Sequence, residues 1–460
     1  MTADTNAISS LGSSFSRRSV LGGIGTGALL AGMPGVAFAK EMGVSFPGLT
    51  KIINEYVADK KVAGMLAMIG FGQAEPQVIS AGTLKLGGDK LVDTNTLWRM
   101  YSQTKPVTGM ATMMLVEDGL VSLDQPLSDF FPEFADMQVL VDPEGALDKV
   151  EPAKAPITIR QLQTHTAGLG YTIISKGPIQ KAYLEAGLTS GRVSRSPLPG
   201  FDRGAPTPDI MTFMKRLSEL PLVYQPGTQW SYSLSHDVLS AVIEKVSGKP
   251  LDQFLQERMF GPLGMESIFY NVPADRAVDL ADNYAPFAGT LLPIDPGATS
   301  VFLDKPPFAF GSTGLVGTAG DYDKFLQMLL GFGKVGDVQV MKPDTVKLGM
   351  SNLLPETANT KGTWVANHGF GVGGRSGLGT AASPSGTFGW GGAAGTSAFV
   401  DTVRGFRAGG YTQYIPSNSY PFQSEFPKYV YADLIGNAQA GAGNTSPSTA
   451  RNCSYSSRPE

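Results

Sequence analysis

Apolar positions along this chain fall into short runs and stripes, separated by glycine and proline. Residues 63–72 (AGMLAMIGFG) and 77–84 (QVISAGTL) are two apolar runs joined by a polar, proline-containing turn, which predicts a β-hairpin. Over 103–118, Val107, Met110, Met114 and Leu115 keep a stripe at helical spacing and Gly119 ends it, so a helix is expected there. Residues 235–247 predict a second amphipathic helix, with Val238, Leu239, Val242, Ile243 and Val246 inward and Gly248 closing it. Helix is expected to continue over 251–260, where Gly261-Pro262-Leu263-Gly264 breaks it. Strand character returns over 394–413, in 396–400 and 410–414 on either side of a polar turn around Arg404, and a last helix is expected over 421–436.

Between these elements, residues 173–207 are rich in Gly, Ser, Pro and Arg with little periodicity. They read as a long irregular insertion on the rim of a site, because such loops in compact domains are usually functional or disordered. From 438 to 460 the chain is Ala/Gly/Asn/Ser/Thr-rich without apolar spacing and reads as a disordered tail. Strands at both ends with helices between them predict an α/β (α+β) fold, in which an antiparallel sheet from both termini is flanked by helices. The expected layout is one domain over 40–437, with α/β parts at about 40–105 and 310–437 and an inserted, mainly helical part at about 106–309.

Composition narrows the function. A net charge of -4 with only 17% charged residues gives no basic patch for nucleic acid or an anionic membrane. The single cysteine, Cys453, rules out an intrachain disulfide, and it sits in the tail without a histidine near it in sequence. His165, His236 and His368 make no metal-spaced pattern, so neither metal nor cofactor is expected. At the N-terminus, Arg17-Arg18 precedes a weakly apolar stretch from Gly22 to Phe38, and Ala37-Phe38-Ala39 supplies a small-x-small cleavage pattern. Residues 1–39 resemble a twin-arginine signal, which implies a periplasmic or secreted protein. No later stretch has the apolar length of a transmembrane helix.

Three short motifs could carry chemistry. Ser102-Gln103-Thr104-Lys105 opens a helix, where residues three apart share one face. A serine hydroxyl needs a base, and a lysine becomes one when burial or a helix N-terminus favours its neutral form. The bland alternative is an N-cap serine with a solvent lysine. Tyr232, in Trp230-Ser231-Tyr232-Ser233-Leu234 before the second helix, could aim its phenol into a cleft or simply be a half-buried tyrosine. Trp390-Gly391-Gly392-Ala393 enters a strand, where glycines let backbone approach a ligand or merely form a turn. No Gly-x-Ser-x-Gly elbow occurs, which removes the α/β-hydrolase route.

Order and spacing decide between these readings. Ser-x-x-Lys near residue 100, the tyrosine motif about 130 residues later and the glycine-containing strand motif near the C-terminus resemble the serine β-lactamase and penicillin-binding-protein superfamily, class C in particular, and its family VIII carboxylesterases. The 158–169 segment (TIRQLQTHTAGL), Pro226-Gly227-Thr228 and Pro262-Leu263-Gly264-Met265 fit the same resemblance, which spans roughly 47–437. It implies that Ser102 is acylated, that Lys105 is its base or proton partner, that Tyr232 relays protons, and that the N–H groups of Ser102 and Ala393 form the oxyanion hole. Leu234 and Trp390-Gly391 stand where penicillin-recognising members keep an asparagine and a Lys-Thr pair, so the implied substrate is a small ester. A peptidase or amidase acting on small or linear peptides is the alternative. A β-lactamase, a D,D-peptidase or a non-catalytic binding protein on the same fold ranks behind both. His165 lies in the 158–169 segment and reads as structural, as does His368.

Overall fold

The computed structural model describes residues 44–195 and 206–443. The signal-like segment 1–39, residues 196–205 of the insertion, Cys453 and the tail from 444 lie outside the described residues. In chain order, the elements that build the site are α1 (Pro47–Ala58), β1 (Gly64–Phe71), β2 (Gln77–Gly82), β3 (Leu97–Arg99), α2 (Thr104–Glu117), α3 (Gly177–Glu185), α4 (Ser235–Ser247) and β4 (Ile268–Phe269). They continue with β5 (Val316–Thr318), α5 (Ala319–Leu330), α6 (Pro343–Met350), β6 (Gly369–Phe370), β7 (Arg375–Ser376), β8 (Thr387–Gly391), β9 (Ser397–Asp401), β10 (Phe406–Tyr411) and α7 (Phe422–Gly443).

Seven strands form one sheet in the order β6-β7-β8-β9-β10-β1-β2, and each neighbouring pair is antiparallel. The chain ends meet where β1 pairs with β10, from Leu66 opposite Tyr411 to Phe71 opposite Phe406. β1 is a continuous apolar run because both its faces are covered. Met65, Ala67 and Ile69 pack with Leu49 and Ile53 of α1 and Phe422 and Phe426 of α7. Leu66 and Met68 point the other way, into the main core with Met110, Met114 and Phe325. Helix α2 lies in that core, packed on α4 and α6. All its residues from Thr104 to Leu115 are buried, which explains why its sequence is apolar nearly all round.

Four elements differ from the sequence reading. The last sheet strand runs Phe406–Tyr411, earlier than the expected 410–414. Arg407 lies between the two expected strands, on the side of the expected turn around Arg404, but its guanidinium is buried against Asp323 of α5 at 2.7 Å and also donates to the Gly72 and Ala74 carbonyls. The helix expected over 251–260 is α-helical over Leu251–Leu255 and then a π turn over Gln256–Phe260. Within the insertion, α3 forms because Pro178 suits the first turn while Ile179 and Tyr183, one turn apart, are buried. The final helix continues through Gly443, past the expected 436 and the tail boundary at 438. Among the described residues, no helix is long and apolar enough to cross a membrane.

The Arg407–Asp323 pair ties the middle of the sheet to α5 with almost no exposure of either side chain (0% and 3%). Asp323→Ala should therefore lower the free energy of unfolding by about 3–5 kcal/mol, because it leaves a buried cation without its carboxylate. Urea unfolding of the variant checks this, and a loss under 1 kcal/mol would show that the pair is dispensable.

Candidate active site

Ser102 stands in the single 3-10 turn Tyr101–Gln103 that feeds directly into α2. The residue before it, Tyr101, has φ +45°, a conformation that costs a side-chain-bearing residue about 1–3 kcal/mol. Burial of the Tyr101 ring edge-on to Phe302, and a hydrogen bond from Asn283 Nδ2 to its hydroxyl at 3.2 Å, hold the turn in that shape. Lys105 follows one helical turn later and is wholly buried. Its Nζ lies 3.3 Å from Ser102 Oγ and donates to the Ser312 carbonyl at 3.0 Å. The same amine sits 4.5 Å from the centroid of the Tyr232 ring.

The Tyr232 hydroxyl hydrogen-bonds Ser102 and accepts from Trp390 Nε1 at 3.2 Å. Burial, followed by the neighbouring Tyr171, pushes this phenol well above its ordinary pKa, and the bonds from Ser102 and Trp390 oppose the rise only in part. Tyr232 is thus a neutral donor and acceptor at physiological pH. Its ring belongs to an aromatic cluster with Trp230, Trp364, Trp390 and Tyr171, and Phe370 packs edge-on against Trp390.

The strand motif reaches the serine through close backbone contact. A Cβ placed on Gly392 would lie 2.3 Å from the Met100 carbonyl oxygen, so only glycine lets the end of β8 pass this near to the Ser102 turn. Gln423 of α7 clamps the passage, with Nε2 donating to the Gly392 and Thr396 carbonyls at 2.7 and 2.8 Å. Gly391 ends β8 opposite Ser397, and Ala393 begins the turn beyond Gly392. Ser102, Lys105, Tyr232, Trp390, Gly391, Gly392 and Ala393 therefore come together from α2, the start of α4 and the β8–β9 connection. Leu234 does not share that setting. It is wholly buried in the main core at the N-terminal end of α4, so its side chain packs the fold instead of facing a cleft.

Several neighbours had no signal in the sequence. Ser312 contributes a backbone carbonyl, which no side-chain pattern announces. Asp237 accepts the Ser312 N–H at 3.1 Å. Arg375 of β7 stacks its guanidinium 5.1 Å from the Trp390 ring centroid, so a cation stands beside the position where the sequence lacks one. Its Nε and Nη2 both donate to the Trp364 carbonyl, at 3.0 and 2.6 Å.

The two inner histidines are packed against the base. His165 Nδ1 accepts the Ser233 N–H and bonds the Ser233 hydroxyl, while neither nitrogen of His236 has a partner among the described residues. Burial first, then the charge of Lys105 and, for His165, of His236, pushes both imidazoles well below their usual pKa. Burial first, then the neighbouring Arg375, lowers the pKa of His368.

A serine that follows a strained residue, with a buried amine beside it, a neutral tyrosine and a glycine-lined backbone approach, thus stands against an antiparallel sheet. The Beta-lactamase family model matches residues 49–421, and the chain belongs to that family. An uncharacterized protein of Mycobacterium tuberculosis is 34% identical over 295 residues, 64% of this chain and 69% of that one. Esterase EstB of Burkholderia gladioli is 27% identical over 394 residues, covering 82% of this chain and 92% of the esterase. The solved structure of EstCE1, described as a hydrolase with promiscuous acyltransferase activity, superposes with a TM-score of 0.68 at 24% identity, covering 85% of this chain and 98% of its own. The chain is thus a member of a β-lactamase-fold hydrolase family with esterase and acyltransferase relatives.

Because both inner histidines stay neutral, the folded state refuses protons that the unfolded chain takes up below its ordinary histidine pKa of about 6.5. Stability is fully present above that value and is lost as the pH falls through it. Urea unfolding should lose up to about 1.4 kcal/mol per pH unit per histidine below it. His236→Leu, which breaks no hydrogen bond, should keep stability near pH 7.5 and flatten the loss towards pH 5.5. Equal slopes in the two proteins would contradict this.

Proposed function

We propose that the protein is an exported serine carboxylesterase that works through an acyl-enzyme on Ser102. The observation that carries this reading is the 3.3 Å approach of the buried Lys105 amine to Ser102 Oγ. Burial favours the uncharged amine, the form that can take a proton. Lys105 removes the Ser102 proton as Oγ attacks the ester carbonyl. The C=O π pair moves onto oxygen, and the N–H groups of Ser102 and Ala393 stabilise that oxyanion, a contribution of roughly 2.7–4 kcal/mol per donor. The tetrahedral adduct collapses, the C–O bond to the alcohol breaks, and the departing oxygen recovers the proton from Lys105 through the Tyr232 hydroxyl. Water then repeats the sequence on the acyl-enzyme and releases the acid.

Ester preference follows from the surroundings of the base. Trp390 presents an indole beside Tyr232 where a carboxylate-binding cation would stand, and Arg375 next to it already spends two donors on the Trp364 carbonyl. The aromatic cluster suits an uncharged acyl or alcohol group. The domain layout of 40–437 with an inserted helical part, and export through Arg17-Arg18, belong to the same proposal and rest on the sequence.

A panel of nitrophenyl esters, linear peptides and a chromogenic cephalosporin tests the reading. Short-chain esters should give the highest kcat/KM, and Ser102→Ala should remove at least about a thousandfold of that activity with the fold intact. Near-wild-type turnover by the alanine variant would defeat the assignment of the nucleophile. A kcat/KM that favours the cephalosporin over a butyrate ester would defeat the ester preference, and one that favours a peptide over both would establish the peptidase alternative.

A further inference from the structure

Ser312 is held through both of its backbone polar groups, one on each side of its Cα. Its carbonyl accepts the Lys105 amine at 3.0 Å and its N–H donates to Asp237 Oδ1 at 3.1 Å. The segment around it is sewn to the same two helices. Thr108 Oγ1 donates to the Gly311 carbonyl and Thr104 Oγ1 accepts the Leu315 N–H, both from α2. A Cβ on Gly311 would lie 2.5 Å from the His236 carbonyl, so this segment also runs against the first turn of α4. Asp237 is wholly buried on that turn and takes no part in the acyl-transfer steps.

We propose that Asp237 is a positioning residue for the Lys105 amine, acting through the backbone of Ser312. The inference rests on the reading of Ser102 as nucleophile and Lys105 as base. A neutral amine has two N–H bonds and one lone pair. When one N–H is committed to the Ser312 carbonyl, rotation of the amine is restricted and the lone pair can be turned to the Ser102 hydroxyl. The carbonyl can do this only if the residue that carries it is held in place, and the Asp237 carboxylate holds Ser312 by accepting the N–H of the preceding peptide. A misplacement of about 1 Å at a reacting group can cost on the order of a hundredfold in rate, so a bond one peptide removed from the base can matter to turnover.

Asp237 also acts by its charge. It faces Lys105 from α2, Tyr232 from the segment before α4, and Tyr270 from just beyond β4. His165 and His236 face the same amine and stay neutral, and the Tyr171 ring lies 5.9 Å from it. Lys105 and Asp237 are therefore the buried base and the buried carboxylic acid of that set, and the charge of Lys105 acts on the Asp237 carboxyl. Burial pushes the Asp237 carboxyl up, and the bonds from Ser312 together with the charge of Lys105 oppose that rise. An anion beside the amine favours its protonated, inactive form. Removing that charge should therefore move the acidic limb of activity to lower pH.

The experiment uses the full mature chain and two variants. It follows kcat and KM on nitrophenyl butyrate and the rate of fluorophosphonate labelling at Ser102, each across pH. Asp237→Ala should lower kcat and labelling together by about ten- to a hundredfold with little change in KM. Asp237→Asn keeps an oxygen for the Ser312 N–H. It should recover most of the labelling rate, with the acidic limb about one pH unit lower than in the wild type. A residue that only stabilised the start of α4 would cost thermal stability and leave the limb where it was. A folded Asp237→Ala protein that labels at the wild-type rate overturns the proposal. So does an Asp237→Asn protein whose limb has not moved, and this second test stands even if the alanine variant does not fold. Absence of labelling at Ser102 in the wild type would instead overturn the nucleophile reading, and the proposal with it.

Discussion

The hydrogen bond from the buried Lys105 amine to the Ser312 carbonyl is the constraint on which the site depends. At 3.0 Å it holds the amine one helical turn below Ser102, in a buried core with the Tyr232 ring 4.5 Å away. Such an amine has little water to stabilise a charge, which is the physical basis for its use as a base. Everything that shapes this bond comes from elsewhere in the chain. α2 carries Lys105, the segment before β5 carries Ser312, the segment before α4 carries Tyr232, and the first turn of α4 carries Asp237. Burial of α2 on every side is thus a requirement of the chemistry as well as of packing.

The sheet serves the site from the other direction. Pairing of β1 with β10 brings the chain ends together, and the β8–β9 connection then passes the Ser102 turn at the Met100 carbonyl. Gln423 on α7 fixes that passage from behind by binding two carbonyls of the connection. Strain next to the serine sits in Tyr101, where a packed ring and a hydrogen bond to its hydroxyl keep the backbone in a left-handed conformation. Substitutions in α7 or at Gly392 would therefore reach the serine although neither residue carries chemistry.

Much of this was legible in the sequence because its signals are local. Ser-x-x-Lys needs only helical spacing, the β1–β2 hairpin only two apolar runs and a turn, and α4 only a stripe closed by Gly248. The remainder depends on contacts between distant segments. Arg407 fell outside both expected strands, and it can sit in one because Asp323, 84 positions earlier, neutralises it inside the core. Ser312 acts through its backbone, so its type says nothing. Arg375 reaches Trp390 only because β7 lies beside β8 in the sheet. Leu234 looked like a lining residue from its place in a motif, whereas the first turn of α4 directs it into the core.

The most direct test of the account is acid quenching during turnover of a nitrophenyl ester, followed by intact mass and peptide mapping. The account predicts one acyl increment on the peptide that contains Ser102, formed in the wild type and absent from Lys105→Ala. Turnover without a covalent adduct, or an adduct on any other residue, would contradict it.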